Sequence, residues 1–89
     1  MDNRLRNGGL LHTNAQVLLR REGGGQLAYL VRGPEGVNGV ARFGVRGLQG
    51  RVSLTDTLGN PLPHNAEREG GTLLVRWNLS PDGQVLTLR

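Results

Sequence analysis

The chain has no cysteine, no lysine and no isoleucine, and its only aromatic residues are Tyr29, Phe43 and Trp77. Without cysteine there is no disulfide, no thiolate nucleophile and no cysteine-ligated zinc. Without lysine there is no phosphate-loop lysine, no Schiff-base amine and no lysine general base. All 11 basic residues are arginine, which together with the missing isoleucine fits a GC-rich coding bias. No stretch approaches the roughly 20 apolar residues of a membrane-spanning helix. No apolar run of about 7–15 residues follows Met1, so no signal peptide is expected. No segment carries apolar residues at helical spacing.

What is present is leucine, valine and a great deal of glycine: 15 Gly with 4 Pro in 89 residues. That mixture suits many short strands joined by tight turns. The length implies one domain, and a chain of this size buries only about 60–65% of its unfolded surface. It can build one two-layer core and has little left for a deep, enclosed active site. The net charge of +4 is spread along the chain and reads first as a solvating surface.

The clearest pattern lies near the C-terminus. Leu73, Val75, Trp77 and Leu79 fall on one side of an extended chain, and Leu74, Arg76 and Asn78 on the other. Period 2 means a half-buried strand. Ser80-Pro81-Asp82-Gly83 then has the residues of a type I turn, and 84–88 runs back. A hairpin is expected there.

Residues 1–9 read as a flexible polar tail or linker stub and 10–89 as a single domain. Leu10-Leu11 either begins a strand or covers a sheet edge. Residues 14–21 form a strand with Ala15, Val17 and Leu19 on one face and Leu18 on the other. Glu22-Gly23-Gly24-Gly25 joins it to 26–32, where Leu27, Tyr29 and Val31 point inward. No helix follows these glycines, so they make a hairpin loop and not a phosphate cradle. Gly33, Gly36 and Gly39 recur every three residues without matching dinucleotide-binding spacing. Residues 37–45 place Val37, Ala41, Phe43 and Val45 on one face, and the glycines inside suggest a bulge or a close backbone approach. Residues 51–56 form another strand, 56–60 a turn, and Pro61-Leu62-Pro63 an edge or loop. Residues 65–69 are a short outer strand. Six or seven strands with a turn every 8–12 residues imply an all-β fold, a two-layer antiparallel β-sandwich of immunoglobulin-like type.

The run Val52-Ser53-Leu54-Thr55-Asp56-Thr57-Leu58-Gly59-Asn60-Pro61-Leu62 is a strand entering an Asp-x-x-Gly-Asn turn. Gly70-Gly71-Thr72-Leu73-Leu74-Val75 and Leu79-Ser80-Pro81 follow, and 18–21 with 27–31 precede. This set resembles the C-terminal β-sandwich domain of bacterial glycoside hydrolases, over residues 11–89. The resemblance implies a non-catalytic accessory domain that packs on or supports a catalytic barrel. It brings no catalytic residue and no cofactor. The chain departs from the pattern at Gln84-Val85-Leu86, where such domains often carry proline and an aromatic.

Chemistry of other kinds finds little support. His12 and His64 lack metal-ligand spacing. Ser53 and Ser80 have no nucleophile-elbow context. Glu67 and Glu69, about 7 Å apart on a strand face, suit the guarding of an edge better than a glycosidase pair. The three aromatics fall on core registers, so a face of stacked rings for sugar or nucleic acid is not expected. Leu18, Leu30 and Leu74 are apolar at outward positions and are the expected contacts for a partner domain, whether a catalytic barrel or another copy of the chain, with carbohydrate as a further ligand. The competing expectation is a free-standing module that holds an anionic partner, nucleic acid or acidic protein, through Arg20, Arg42, Arg46, Arg51 and Arg76.

Overall fold

The computed structural model describes residues 9–45 and 47–89. Its strands are β1 (Gly9–Thr13), β2 (Gln16–Gly23), β3 (Gln26–Arg32), β4 (Asn38–Gly44), β5 (Val52–Asp56), β6 (His64–Glu69), β7 (Thr72–Asn78) and β8 (Gln84–Leu88). They form two antiparallel sheets of four, β1-β4-β7-β6 (sheet A) and β2-β3-β8-β5 (sheet B). Among the described residues there is no helix. The chain is the expected all-β sandwich, with β1 bringing the strand number to eight. Of the tail expected over residues 1–9, only Gly9 is described, and it opens β1; the rest lies outside the described residues.

Alternation builds the core. Leu27, Tyr29 and Val31 of β3, Leu54 of β5, and Leu86 and Leu88 of β8 face Ala41 and Phe43 of β4 and Leu73, Val75 and Trp77 of β7 in one buried cluster. Tyr29 and Phe43 meet inside it, ring centroids 5.6 Å apart and tilted by 48°, a favoured geometry for aromatic quadrupoles. The Glu22–Gly25 segment behaves as a hairpin. Gly23 pairs with Gln26, and Gly24 and Gly25 between them both have positive φ, 59° and 78°. That is the turn whose twist matches paired strands.

Two expectations are corrected. First, β7 and β8 are not a hairpin. β7 pairs with β4 and β6, whereas β8 pairs with β3 and β5. Ser80-Pro81-Asp82-Gly83 carries the chain from one sheet to the other. The turn chemistry is present: the Asp82 N–H donates to Ser80 Oγ at 3.1 Å, and Gly83 has φ 95°. Turn residues reverse a chain, but they do not decide whether the two arms lie side by side or face to face. Here Leu79 and Gln84 decide it. The Leu79 N–H donates to Val37 O at 2.9 Å, and the Gly33 N–H donates to Ser80 O at 3.1 Å. Buried Gln84 accepts from Trp77 Nε1 at 2.9 Å and donates to Asn78 O at 2.8 Å. The arch is therefore pinned from both ends.

Second, Ala15, Val17 and Leu19 do not share a face. Val17 pairs with Val31, but Leu19 pairs with Leu30, so Leu18 is one residue too many. This β-bulge reverses the alternation after Val17. Leu19 goes to the outer face, and Arg20 turns toward the interior opposite Tyr29.

The glycine spacing at 33 and 39 now has a cause. A Cβ on Gly33 would stand 2.6 Å from Leu79 Cδ1, and one on Gly39 would stand 2.6 Å from Leu79 Cδ2. Leu79 fills the space between two bare backbones. Gly36, between them in sequence, serves its turn with φ 80°.

Two outcomes follow for denaturant unfolding. Gly39→Ala should cost about 1–3 kcal/mol through overpacking, and the cost should shrink in a Leu79→Ala background, because the two sites share one contact. Gln84→Leu should cost about 2–3 kcal/mol, since it strands a buried indole N–H and the Asn78 carbonyl. The Trp77 indole N–H resonance should move in the same variant.

Candidate functional site

A sandwich presents two outer faces, and here they differ in chemistry. On sheet A, Arg42 lies opposite His12 on one side and Leu74 on the other, Leu74 lies opposite Glu67, and Arg76 lies opposite Val40 and Asn65. The charges pair diagonally. Arg42 Nη1 donates to Glu69 Oε1 at 3.0 Å and to Thr72 Oγ1 at 3.2 Å. Arg76 Nη1 stands 3.9 Å from Glu67 Oε2. Leu74 sits among these groups at 9% exposure.

Sheet B carries no acidic residue on its outer face. The register runs Leu19–Leu30–Val85–Thr55 in one row and Arg21–Ala28–Thr87–Ser53 in the next. Arg32 bounds this face and donates from Nε to Gln16 Oε1 at 2.9 Å. Leu18 and Leu19 together oppose Leu30 across the bulge and are 44% and 46% exposed. Leu30 and Val85 are half-buried.

The three leucines expected to contact a partner therefore divide. Leu18 and Leu30 belong to sheet B, while Leu74 lies on the opposite sheet and is already covered. The arginines divide as well. Arg20 lies against Tyr29, its guanidinium carbon 5.9 Å from the ring centroid and its Nη1 3.8 Å from Glu22. Arg42 and Arg76 lie on sheet A with carboxylates beside them. Arg51 precedes β5, where its backbone pairs with Arg89 at 2.8 and 2.9 Å. Arg46 lies outside the described residues. Those that are described form no single basic patch.

Tyr29, Phe43 and Trp77 are all buried. His12 and His64 stand on β1 and β6, the two edges of sheet A. Among the described residues no three His, Asp or Glu side chains gather as a metal site would need. The Asp-x-x-Gly-Asn turn is a structural knot. Asp56 Oδ1 accepts from the Leu58 N–H and the Asn60 N–H, and Oδ2 from Asn60 Nδ2, each at 2.9 Å. The Asn60 side chain and backbone do most to hold the Asp56 carboxyl below its usual range.

One depression interrupts the paired surface of sheet A. It is broad and shallow, about 740 Å³, and is lined by Asn38, Val40, Pro63, His64, Asn65, Arg76, Trp77 and Asn78, with Gly39 between strands. Its origin is a mismatch of strand lengths. β6 begins at His64, so the Asn38–Asn78 row has no third strand beside it. Pro63, which lacks an N–H, ends the ladder there.

Sequence reasoning missed Leu19 and Val85 as outer-face residues. The alternation Val85–Thr87 against Leu86–Leu88 carried the second signal; nothing local announced the bulge that moves Leu19. Comparisons with protein-family models, with curated proteins and with solved structures found no match for this chain.

Asp56 gives a pH prediction with a definite sign. Its carboxyl is depressed in the folded state, so the turn contributes its full stability above the ordinary aspartate range. That contribution is lost as pH falls through the depressed value. A carboxyl-carbon NMR titration should place the Asp56 midpoint below the ordinary aspartate range. Asp56→Ala should flatten the acid limb of the stability profile.

Proposed function

We propose that this chain is a non-catalytic β-sandwich accessory domain that packs against a folded partner domain through the outer face of sheet B. One observation carries the reading: a row of Leu19, Leu30 and Val85, extended by Leu18, crosses three strands without an acidic residue, while the opposite face is laced with Arg–Glu pairs. A solvated sheet face alternates apolar-in with polar-out. An uncharged outer row is what a face covered by another layer requires. Arg21 and Arg32 at its border favour a partner whose apolar strip is flanked by carboxylates. The resemblance in strand and turn pattern to the C-terminal domains of glycoside hydrolases supports a catalytic barrel as that partner. No catalytic role is assigned to any residue here.

The test is site-specific photo-cross-linking in extracts of the source cells. A photoreactive amino acid in place of Leu19 should join the chain to one identified polypeptide with glycoside hydrolase activity. The same group in place of Glu67 should not, and Leu30→Asp should abolish the adduct. Cross-linking from both faces alike, insensitivity to Leu30→Asp, or capture of nucleic acid would overturn the proposal.

A further inference from the structure

The depression on sheet A has a lining that neither the fold nor the proposed packing face uses. Asparagine is depleted in strands, because its side chain competes for the backbone. Yet Asn38, Asn65 and Asn78 stand on three adjacent strands at the same end of one sheet. None of their carboxamides makes a hydrogen bond within the described residues, and all three are exposed. Each offers two donors and one acceptor oxygen. Asn38 and Asn78 are directly opposed on neighbouring strands, roughly 4.8 Å apart, and Asn65 lies diagonal to Asn78, opposite Arg76, roughly 7–8 Å away. Arg76, beside them, is held only by the loose 3.9 Å approach to Glu67. Val40 and Pro63 add apolar lining; Trp77 also borders the depression, but its indole is buried in the core with its N–H engaged by Gln84.

We infer that this depression is a binding site for a hydroxyl-rich ligand, a saccharide chain lying across β4, β7 and β6. Neutral groups that both donate and accept match vicinal hydroxyls, which also do both. The apolar lining matches the C–H face of a sugar ring. A nucleic acid fits less well, since Tyr29, Phe43 and Trp77 are all buried and the lining offers His64 as its one exposed planar ring, short of a platform for successive bases. The site lies on the opposite sheet from the proposed packing face, so a packed domain would still present it to solvent.

The experiment is a nitrogen–proton NMR titration of the whole chain with a hexamer of β-1,4-linked glucose, a hexamer of β-1,4-linked xylose, and a trimer of galacturonate. Binding of at least one should shift the side-chain amides of Asn38, Asn65 and Asn78 and the Arg76 Nε signal. Resonances of Leu19, Leu30 and Val85 should stay in place. Asn65→Ala and Asn78→Ala should each weaken that binding about two- to tenfold, the value of one hydrogen bond, with the unfolding midpoint unchanged. Asn65→Gln, which keeps the chemistry but moves it, should restore part of the affinity lost in Asn65→Ala. The inference is overturned if none of the three saccharides shifts these signals at millimolar concentration, if the shifts fall elsewhere, or if both alanine variants bind like the parent. Because the two faces report separately, a failure here leaves the Leu19 cross-linking result standing, and the reverse also holds.

Discussion

The contact on which the sandwich depends is Leu79 seated between the backbones of Gly33 and Gly39. It lies where the chain leaves β7, in the middle of sheet A, and heads for β8, in the middle of sheet B. An arch between two central strands fixes how the sheets stack. Once Leu79 is seated and Gln84 has taken the Trp77 indole N–H, the apolar sides of β7 and β8 can only face each other. The remaining strands then add at both flanks by ordinary antiparallel pairing. The glycines matter here because they lack bulk: a methyl group at either position would occupy the space that Leu79 needs.

This arch also marks the limit of what the sequence reveals. Period-2 alternation identified β3, β4, β5 and β7 and their inward residues, since burial on one side writes itself into every second position. Gly-Gly between Gly23 and Gln26 identified a real hairpin, because two adjacent positive φ angles leave few other structures. Ser80-Pro81-Asp82-Gly83 looked equally like a hairpin and was an arch. Both carry similar turn residues, and the choice between them rests on Val37 and Gly33, more than forty residues upstream. The bulge at Leu18 was hidden for a related reason. A run of Val17-Leu18-Leu19 is apolar at every position, so the alternation that would expose a slip is missing.

The candidate surfaces were legible in the same uneven way. Leu30 could be placed on an outer face because its strand alternates cleanly. Leu74 could be placed there too, but not the ion pairs around it, which join Arg42 to Glu69 across 27 positions of sequence. Charge that looks scattered along the chain is, on sheet A, organised into opposite-sign neighbours. The formal charge of +4 therefore does not become a basic face on sheet A. The asparagine-lined depression left no mark in the sequence at all: its three amides come from three strands brought to one end by their register, and the space beside Asn78 is open because β6 starts one row late.

The difference in chemistry between the two faces has thermodynamic consequences. A domain of 89 residues has a small core and a thin stability margin. Apolar side chains left outward contribute only part of their burial free energy to that margin until another surface covers them. Sheet A limits the problem by surrounding Leu74 with arginine and glutamate, leaving Leu11 exposed on its edge strand β1. Sheet B does not, although threonine or arginine at positions 19, 30 and 85 would fit a strand equally well. Edge strand β2 carries a bulge, a feature that discourages indiscriminate strand addition, and its outward leucines remain. A partly exposed apolar row beside a guarded edge favours contact through the face of the sheet over contact through its rim. That geometry suits a layer laid on top of sheet B and argues against a ninth strand added beside it.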